Sequence, residues 1–222
     1  MIASWVEDFV GALAEVQLPN VFNPYADVCP SHDLPGAPTV RRNNLAKVLD
    51  RQLVMGTDTI WVGRDLGYRG ARRTGLALTD ERHLPEMASA LGVDGIEKST
   101  ATSLDERTAS ITWGVLRRLP SVPVLWNAFP LHPHGPGDQQ SNRQHTLKER
   151  AAALWSLEAL VMKFQPRDIV AIGNDASIAL TAMGLSHTKV RHPSYGGQAQ
   201  FIDQMEQLYE ISSLTEKQLR LI

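Results

Sequence analysis

The sequence predicts an α/β fold, a three-layer α/β/α sandwich with a central, mostly parallel four-stranded sheet. Short apolar segments rich in β-branched residues alternate along the chain with segments whose apolar residues recur at helical spacing. Several of the short segments end in a polar residue or run into a glycine-rich loop, which is typical of parallel strands at the carboxyl edge of a sheet. The length of 222 residues suits one compact domain, so we expect residues 1–222 to form a single domain.

The first predicted elements are a helix, a loop and a strand. Apolar residues at helical spacing predict an amphipathic helix over Ile2 to Val16. The passage from Pro19 to Pro38 is rich in Pro and Asn, which predicts a loop. The run Thr59 to Val62 predicts a short buried strand, and the glycine-rich segment Gly63 to Gly75 follows it directly.

Capping boxes predict two helices in the second half of the chain. Ser103 with Glu106 is expected to open a helix that ends near residue 118. Thr146 with Glu149 is expected to open another that ends near residue 164.

Two further strands are predicted from apolar, β-branched runs, at Val122 to Asn127 and Asp168 to Gly173, and a fourth strand is predicted around His187 to Arg191, where it runs straight into the segment HPSYGG. The second of these leads into a helix from about Ala176 to Met183. Strands that alternate with helices form a parallel sheet with helices on both faces. In such folds ligands bind beyond the carboxyl ends of the strands, where the loops of this chain carry most of its distinctive residues.

Composition excludes several classes of protein. Hydrophobic content is 43% and charged content 21%, and no apolar run approaches the roughly 20 residues that a bilayer requires, so we expect no membrane partner. The N-terminus lacks the basic start and long apolar stretch of a secretory signal, which favours a cytoplasmic protein. Cys29 is the only cysteine, which excludes an internal disulfide, a cysteine-ligated zinc site and a four-cysteine iron–sulfur cluster.

Three segments together resemble the motifs of one enzyme superfamily. Gly63 to Leu78 (GRDLGYRGARRTGLAL) resembles the first motif of the uracil-DNA glycosylase superfamily, with its spacing from the Gly-x-Asp turn to the later Gly-Leu-Ala. Leu125 to His134 (LWNAFPLHPH) is similar to the base-reading strand, and His192 to Gly197 (HPSYGG) resembles the second motif. They occur in the family's order, and the resemblance covers roughly Asp58 to Phe201. It implies a uracil-DNA glycosylase-like fold and a monofunctional DNA glycosylase of base excision repair.

The resemblance implies specific roles for the residues that would hydrolyse an N-glycosidic bond. Breaking an N-glycosidic bond leaves a cation-like sugar and an anionic base, so the site must place negative charge near the sugar and donors near the base. By resemblance, Asp65 orients the hydrolytic water and offsets the sugar charge, while His192 hydrogen-bonds O2 of the base. The amide of Asn127 fits the O4 and N3 edge of uracil, and backbone N–H groups around Arg64 add donors. No cofactor is expected.

Two departures from the family concern the base pocket. A uracil-specific branch has a Tyr ring at the position of Gly67, and that ring excludes C5 substituents. We therefore expect open space there, unless the glycine serves only a tight turn and Tyr68 or Leu78 closes the pocket. Leu78 stands where that branch stacks a Phe on the base, and Phe129 is expected to replace that stacking surface.

Side chains that contact DNA are expected in the loops at residues 63–75 and 192–198, because these loops carry basic, polar and aromatic residues. The leucine that wedges into the duplex in the family is replaced here by Gly196, so either Gln198 takes that role or the enzyme prefers single strands. The residues expected to contact DNA are Arg69, Arg72, Arg73, Ser194, Tyr195 and Gln198.

Other interpretations remain open from the sequence. His132 and His134 form an HxH pair, but no third ligand of suitable spacing is evident, so a loop-packing role is favoured over a metal. The chain could act as a defence enzyme on bulky modified bases of viral DNA, or bind DNA without cutting it. An unrelated nucleotide-binding protein is disfavoured, because Gly63 to Gly75 lacks both the Walker ending and the dinucleotide glycine spacing.

Overall fold

The structure, a computed structural model, describes residues 2–211, with side chains from Trp5 onward. The helices are α1 (Ile2–Ala14), α2 (Ala37–Met55), α3 (Ala71–Thr74), α4 (Leu84–Leu91), α5 (Arg107–Leu116), α6 (Leu147–Phe164), α7 (Asn174–Ala182) and α8 (Gln198–Tyr209), with a 3-10 turn at Glu81–His83. The strands are β1 (Val21–Phe22), β2 (Thr59–Gly63), β3 (Val124–Asn127), β4 (His132–Pro133), β5 (Asp168–Ile172) and β6 (Thr188–Val190).

The central sheet has four parallel strands in the order β3-β2-β5-β6. Its strands are the four that the sequence predicts, and each lies within a residue or two of the predicted bounds. Strand β2 is central, so all but its first residue are buried. The parallel register brings the carboxyl ends of the strands to one edge, which confirms the predicted fold class.

Helices cover both faces of the sheet. Trp126 is paired in register with Val62, and its ring contacts Phe9 of α1 at 5.6 Å between ring centroids. Trp61, one residue before Val62, points to the opposite face, where its Nε1 donates a hydrogen bond to the Tyr209 hydroxyl of α8 over 2.6 Å. Side chains on two neighbouring strands, Trp126 on β3 and Trp61 on β2, thus anchor a helix on each side, as a three-layer sandwich requires.

One predicted capping box is confirmed and the other is wrong. Thr146 and Glu149 form reciprocal side-chain hydrogen bonds to the backbone at the start of α6. Helix α5 begins only at Arg107, and neither Ser103 nor Glu106 caps it with a side chain. Ser103 instead accepts a hydrogen bond from Lys98, because the chain from 98 to 105 forms a loop before the helix.

Helices α2, α4 and α8 lie where the sequence pattern gave no helix prediction. In α2 the reason is visible, since polar residues occupy positions on its buried face. Arg41 pairs with Asp33, and Gln52 donates to the backbone carbonyl of Pro123 over 2.8 Å. Buried polar groups of this kind interrupt the apolar periodicity from which helices are predicted. The predicted loop Pro19 to Pro38 also contains β1, which pairs antiparallel with β4.

Within residues 2–211, no helix combines the length and apolar character needed to cross a bilayer.

Candidate active site

The candidate site residues of the three sequence motifs lie at the carboxyl edge of the sheet. Asp65 lies two residues beyond β2, Asn127 ends β3, and His192 follows β6 by two residues. Gly173, directly after β5, lies beneath His192: a Cβ on this glycine would lie 3.1 Å from Cβ of His192. Neighbouring parallel strands therefore bring together residues that are up to 127 positions apart in the chain.

Asp65 is held from one side and free on the other. Its Oδ2 accepts hydrogen bonds from Nε of Arg64 over 3.0 Å and from the backbone N–H of His145 over 3.4 Å, and Nδ1 of His145 lies 3.3 Å away. The side chain is 7% exposed. Among the described residues, neither Oδ1 nor the backbone N–H of Asp65 has a hydrogen-bond partner. The carboxylate is thus fixed with one oxygen available to a water molecule.

His145 is a site residue that the sequence did not identify. It precedes the capping box of α6 by one residue, so the helix start fixes its backbone. Its ring is buried and lies 5.4 Å from the ring of Phe129 between centroids. The only sequence signal for His145 is its position beside the capping box. That position does not predict contact with Asp65, which lies 80 residues earlier in the chain.

His192 is arranged as a neutral hydrogen-bond donor. Its Nδ1 accepts a hydrogen bond from the backbone N–H of Ser194 over 3.1 Å and lies 2.8 Å from the Ser194 hydroxyl. Burial lowers the pKa of His192 to about 4, and the cations Arg64 and Arg191 contribute to the shift. Because Nδ1 is an acceptor, the proton of the neutral ring is on Nε2. No described residue accepts from Nε2, so this N–H is available to a ligand.

Asn127 is buried with an unused donor. It is 2% exposed, and its Nδ2 has no hydrogen-bond partner among the described residues. A Cβ on Gly63 would lie 2.4 Å from Oδ1 of Asn127 and 3.3 Å from Cδ2 of Leu78, so only glycine leaves room for both side chains. An unpaired buried amide costs about 1–3 kcal/mol, which a ligand with a matching acceptor would recover.

Leu78 and Phe129 both lie near this site, in different environments. Leu78 has a positive φ of 55°, and its side chain lies beside Gly63. Phe129 is fully buried, faces His145, and donates its backbone N–H to the carbonyl of Arg64 over 2.9 Å. In this conformation Phe129 supports the loop that carries Asp65 and presents no free face to a base.

The space beside Gly67 is occupied, which corrects the expectation that it is empty. A Cβ on Gly67 would lie 2.6 Å from Oε1 of Glu106, and one on Gly70 would lie 1.9 Å from Oε2. Glu106 comes from the start of α5, 39 residues later in the chain. The sequence assigned Glu106 to a capping box, so its position in the site was missed.

Arg72 and Arg73 do not form part of a DNA-binding surface, contrary to the prediction. They are 2% and 3% exposed, because the short helix α3 turns both side chains inward. Arg72 lies over the Phe22 ring at 3.8 Å and donates to the carbonyl of Gln139. Arg73 is paired with Glu81. Both arginines therefore stabilise the fold rather than meet phosphates.

The other predicted DNA contacts remain at the surface. Arg69 is exposed, and Gln198 accepts a hydrogen bond from Arg107 over 3.1 Å. Tyr195 is 96% exposed and has a positive φ of 52°, so its ring stands away from the protein. Ser194 contacts His192, as described above.

His132 and His134 have the packing role that was favoured for them. Nε2 of His132 lies 3.0 Å from the carbonyl of Ser141 and ties the loop before α6 to β4. Burial lowers the pKa of His132 to about 3, helped by the nearby Arg72 cation. Among residues 2–211, no group of three or more His, Cys, Asp or Glu side chains is arranged to hold a metal ion.

Comparisons with known proteins show a likeness in fold. No protein-family model matches the chain, and no curated protein matches it by sequence. The crystal structure of wild-type SMUG2 from Pedobacter heparinus is similar, with a TM-score of 0.59 and 11% sequence identity. The match covers 94% of this chain and 97% of that chain. At this identity the similarity concerns the fold, which supports the α/β architecture along almost its whole length.

Proposed function

We propose that this chain is a monofunctional DNA glycosylase, which hydrolyses the bond between deoxyribose and a flipped-out pyrimidine and leaves an abasic site, as in base excision repair. One observation carries the proposal. At one edge of the sheet, three side chains are held in place but keep an atom free for hydrogen bonding: Oδ1 of Asp65, Nε2 of His192 and Nδ2 of Asn127. The motif resemblance and the fold similarity to SMUG2 are consistent with this class of enzyme.

Asp65 acts on the sugar in this mechanism. As the N-glycosidic bond breaks, positive charge develops on the deoxyribose, and a fixed carboxylate beside it lowers the energy of that state. The free Oδ1 accepts a hydrogen bond from the attacking water. As the water oxygen bonds to C1′, its proton passes to this carboxylate and from there to the departed base anion. Because Arg64 and His145 hold Oδ2, the carboxylate needs no reorganisation during the reaction.

His192 acts on the departing base. The base leaves with the bonding electron pair, so negative charge grows on its O2. The Nε2–H of neutral His192 donates a hydrogen bond to this oxygen, and the low pKa keeps the ring neutral at physiological pH. A donor that is already oriented stabilises the anion without transferring its proton.

Asn127 identifies the base. Its amide can donate to O4 and accept from N3–H of uracil, and this amide is buried beside Gly63. Leu78 provides an apolar surface beside this amide. The base reaches the pocket only when it is turned out of the stack, which costs less from single strands or mismatches.

The test is a panel of oligonucleotides, each with one uracil or one C5-substituted pyrimidine. The protein is incubated with single-stranded and double-stranded forms, and abasic sites are revealed by alkaline cleavage. Excision of any pyrimidine that Asp65→Asn abolishes supports the proposal. Binding without cleavage would instead support a non-cleaving DNA-binding protein, and cleavage restricted to bulky modified bases would favour a role in defence against viral DNA.

A further inference from the structure

Glu106 reaches into the loop that carries Asp65. A Cβ atom on Gly67 would lie 2.6 Å from Oε1 of Glu106, and a Cβ atom on Gly70 would lie 1.9 Å from Oε2. A residue with a side chain at either position would have to displace this carboxyl group. The two glycines thus admit a carboxyl group to the side of the pocket at which the Tyr ring of the uracil-specific branch is expected.

The backbone of Glu106 is fixed while its carboxyl group is free. The Glu106 N–H donates to Oδ2 of Asp80 over 2.8 Å, which holds the residue at the start of α5. The side chain does not cap α5, and no described residue forms a hydrogen bond or ion pair with its carboxyl group. A half-buried carboxyl group without a protein partner is available to a ligand.

The charge of Glu106 depends on pH near neutrality. Burial, with smaller contributions from the nearby carboxylates of Asp80 and Asp65, raises the pKa of Glu106 to about 7. Asp80 is itself hydrogen-bonded to His83. Below this pKa the neutral carboxyl can donate as well as accept a hydrogen bond, whereas above it the carboxylate only accepts.

We propose that Glu106 is a specificity-determining residue of the base pocket, where its carboxyl group faces C5 of the flipped pyrimidine and selects a hydrogen-bonding substituent over an apolar methyl group. This inference rests on the proposed glycosylase function. A hydroxyl on the C5 substituent gives the carboxyl group a partner when water is expelled. A methyl group displaces the solvent around the carboxyl group and offers it no hydrogen bond, which disfavours thymine by about tenfold or more.

The same residue gives the reaction a pH dependence. A neutral Glu106 tolerates the negative charge that develops on the departing base, but an ionised Glu106 repels it. The excision rate therefore falls as pH rises through about 7, the pKa of Glu106. Glu106→Gln keeps the shape and the hydrogen-bonding capacity but cannot ionise, so its rate stays level over the same range.

The experiment measures single-turnover excision of uracil, thymine and 5-hydroxymethyluracil from single-stranded oligonucleotides between pH 6 and 8. Wild type, Glu106→Ala, Glu106→Gln and the exposed control Glu158→Gln on α6 are compared. We expect wild type to prefer 5-hydroxymethyluracil over thymine by about tenfold or more, and Glu106→Ala to reduce this preference by a similar factor. Glu106→Gln retains the preference and loses the pH dependence, and Glu158→Gln behaves as wild type.

The outcomes separate this inference from the proposed function. If wild type excises a base but Glu106→Ala leaves the relative rates of the three bases unchanged, Glu106 does not determine specificity and the glycosylase proposal stands. If wild type excises none of the pyrimidines in the larger panel, both proposals fail. Should Glu106→Ala not fold, a pH profile of Glu106→Gln identical to wild type overturns the inference.

Discussion

Two neighbouring groups of polar side chains differ in how completely they are paired. One, the closed cluster, is formed by Arg73, Asp80, Glu81, His83 and Thr100. The other, the open edge, is formed by Asp65, Glu106, Asn127 and His192. The two groups touch, because the backbone N–H of Glu106 donates to Asp80.

The carboxyl groups of Asp80 and Glu106 show the difference most clearly. Burial by itself raises the pKa of Asp80, but hydrogen bonds from His83 and from the Glu106 N–H more than offset it, and the pKa is lowered. Glu106 has no such donors, so burial raises its pKa to about 7. A carboxyl group whose oxygens are paired inside the protein serves the fold, whereas one that keeps an oxygen without a protein partner, as Asp65 and Glu106 do, is available to a ligand.

The largest expected effect comes from breaking the closed cluster. Glu81 accepts hydrogen bonds from Thr100 over 2.7 Å and pairs with Nε of Arg73 over 3.4 Å, and all three are buried. Glu81→Gln leaves a buried arginine without its counter-charge, which should lower the free energy of unfolding by about 3–5 kcal/mol. Urea unfolding measures this loss. Glu106→Gln is the matched control, with a change below about 1 kcal/mol, and equal losses would contradict the comparison.

Substitutions in the open edge should act on rate rather than on stability. In the proposed mechanism, Asp65→Asn and His192→Ala each remove a group that stabilises charge in the transition state, so each should lower single-turnover excision by at least about a hundredfold. Binding to a duplex with a non-cleavable nucleotide should remain largely intact. Wild-type excision rates from both variants would remove the proposed mechanism.

His145→Ala tests whether the residue behind Asp65 positions it. We expect about a tenfold lower kcat with little change in KM, because the backbone N–H of His145 and the Arg64 guanidinium still contact Asp65. His145→Asn, which restores a side-chain donor, should recover part of the rate. His134→Ala is the control, since His134 is hydrogen-bonded to Gly135 and not to Asp65. Equal losses from His145→Ala and His134→Ala would indicate a structural effect alone.

The smallest effect distinguishes exposed from buried arginines. If Arg69 meets a phosphate, Arg69→Ala should weaken DNA binding a few-fold and reduce the slope of log K against log salt concentration by about one. Arg72→Ala should leave that slope unchanged in whatever fraction folds, since Arg72 lies inside the protein. Titration of a fluorescent duplex at several salt concentrations measures both slopes, and a reduced slope for Arg72→Ala would contradict the structure.

The sequence by itself determined the parts of this protein that depend on local pattern. The four sheet strands follow from short β-branched runs, and α6 follows from a capping box within four consecutive residues. Asp65, Asn127 and His192 were predicted from motifs that resemble those of a known superfamily. The structure has all three at or just beyond the ends of strands, and parallel strands carry such residues to one edge.

The tertiary structure alone decided which side chains meet across long separations. Glu106 meets Gly67 from 39 residues away, and His145 meets Asp65 from 80 residues away, so no local pattern records either contact. The tertiary structure also decided that the side chains of Arg72 and Arg73 point into the protein. An arginine-rich loop has the composition of a DNA-binding surface, but the buried Glu81 and the Phe22 ring provide internal partners that only the packed chain brings within reach.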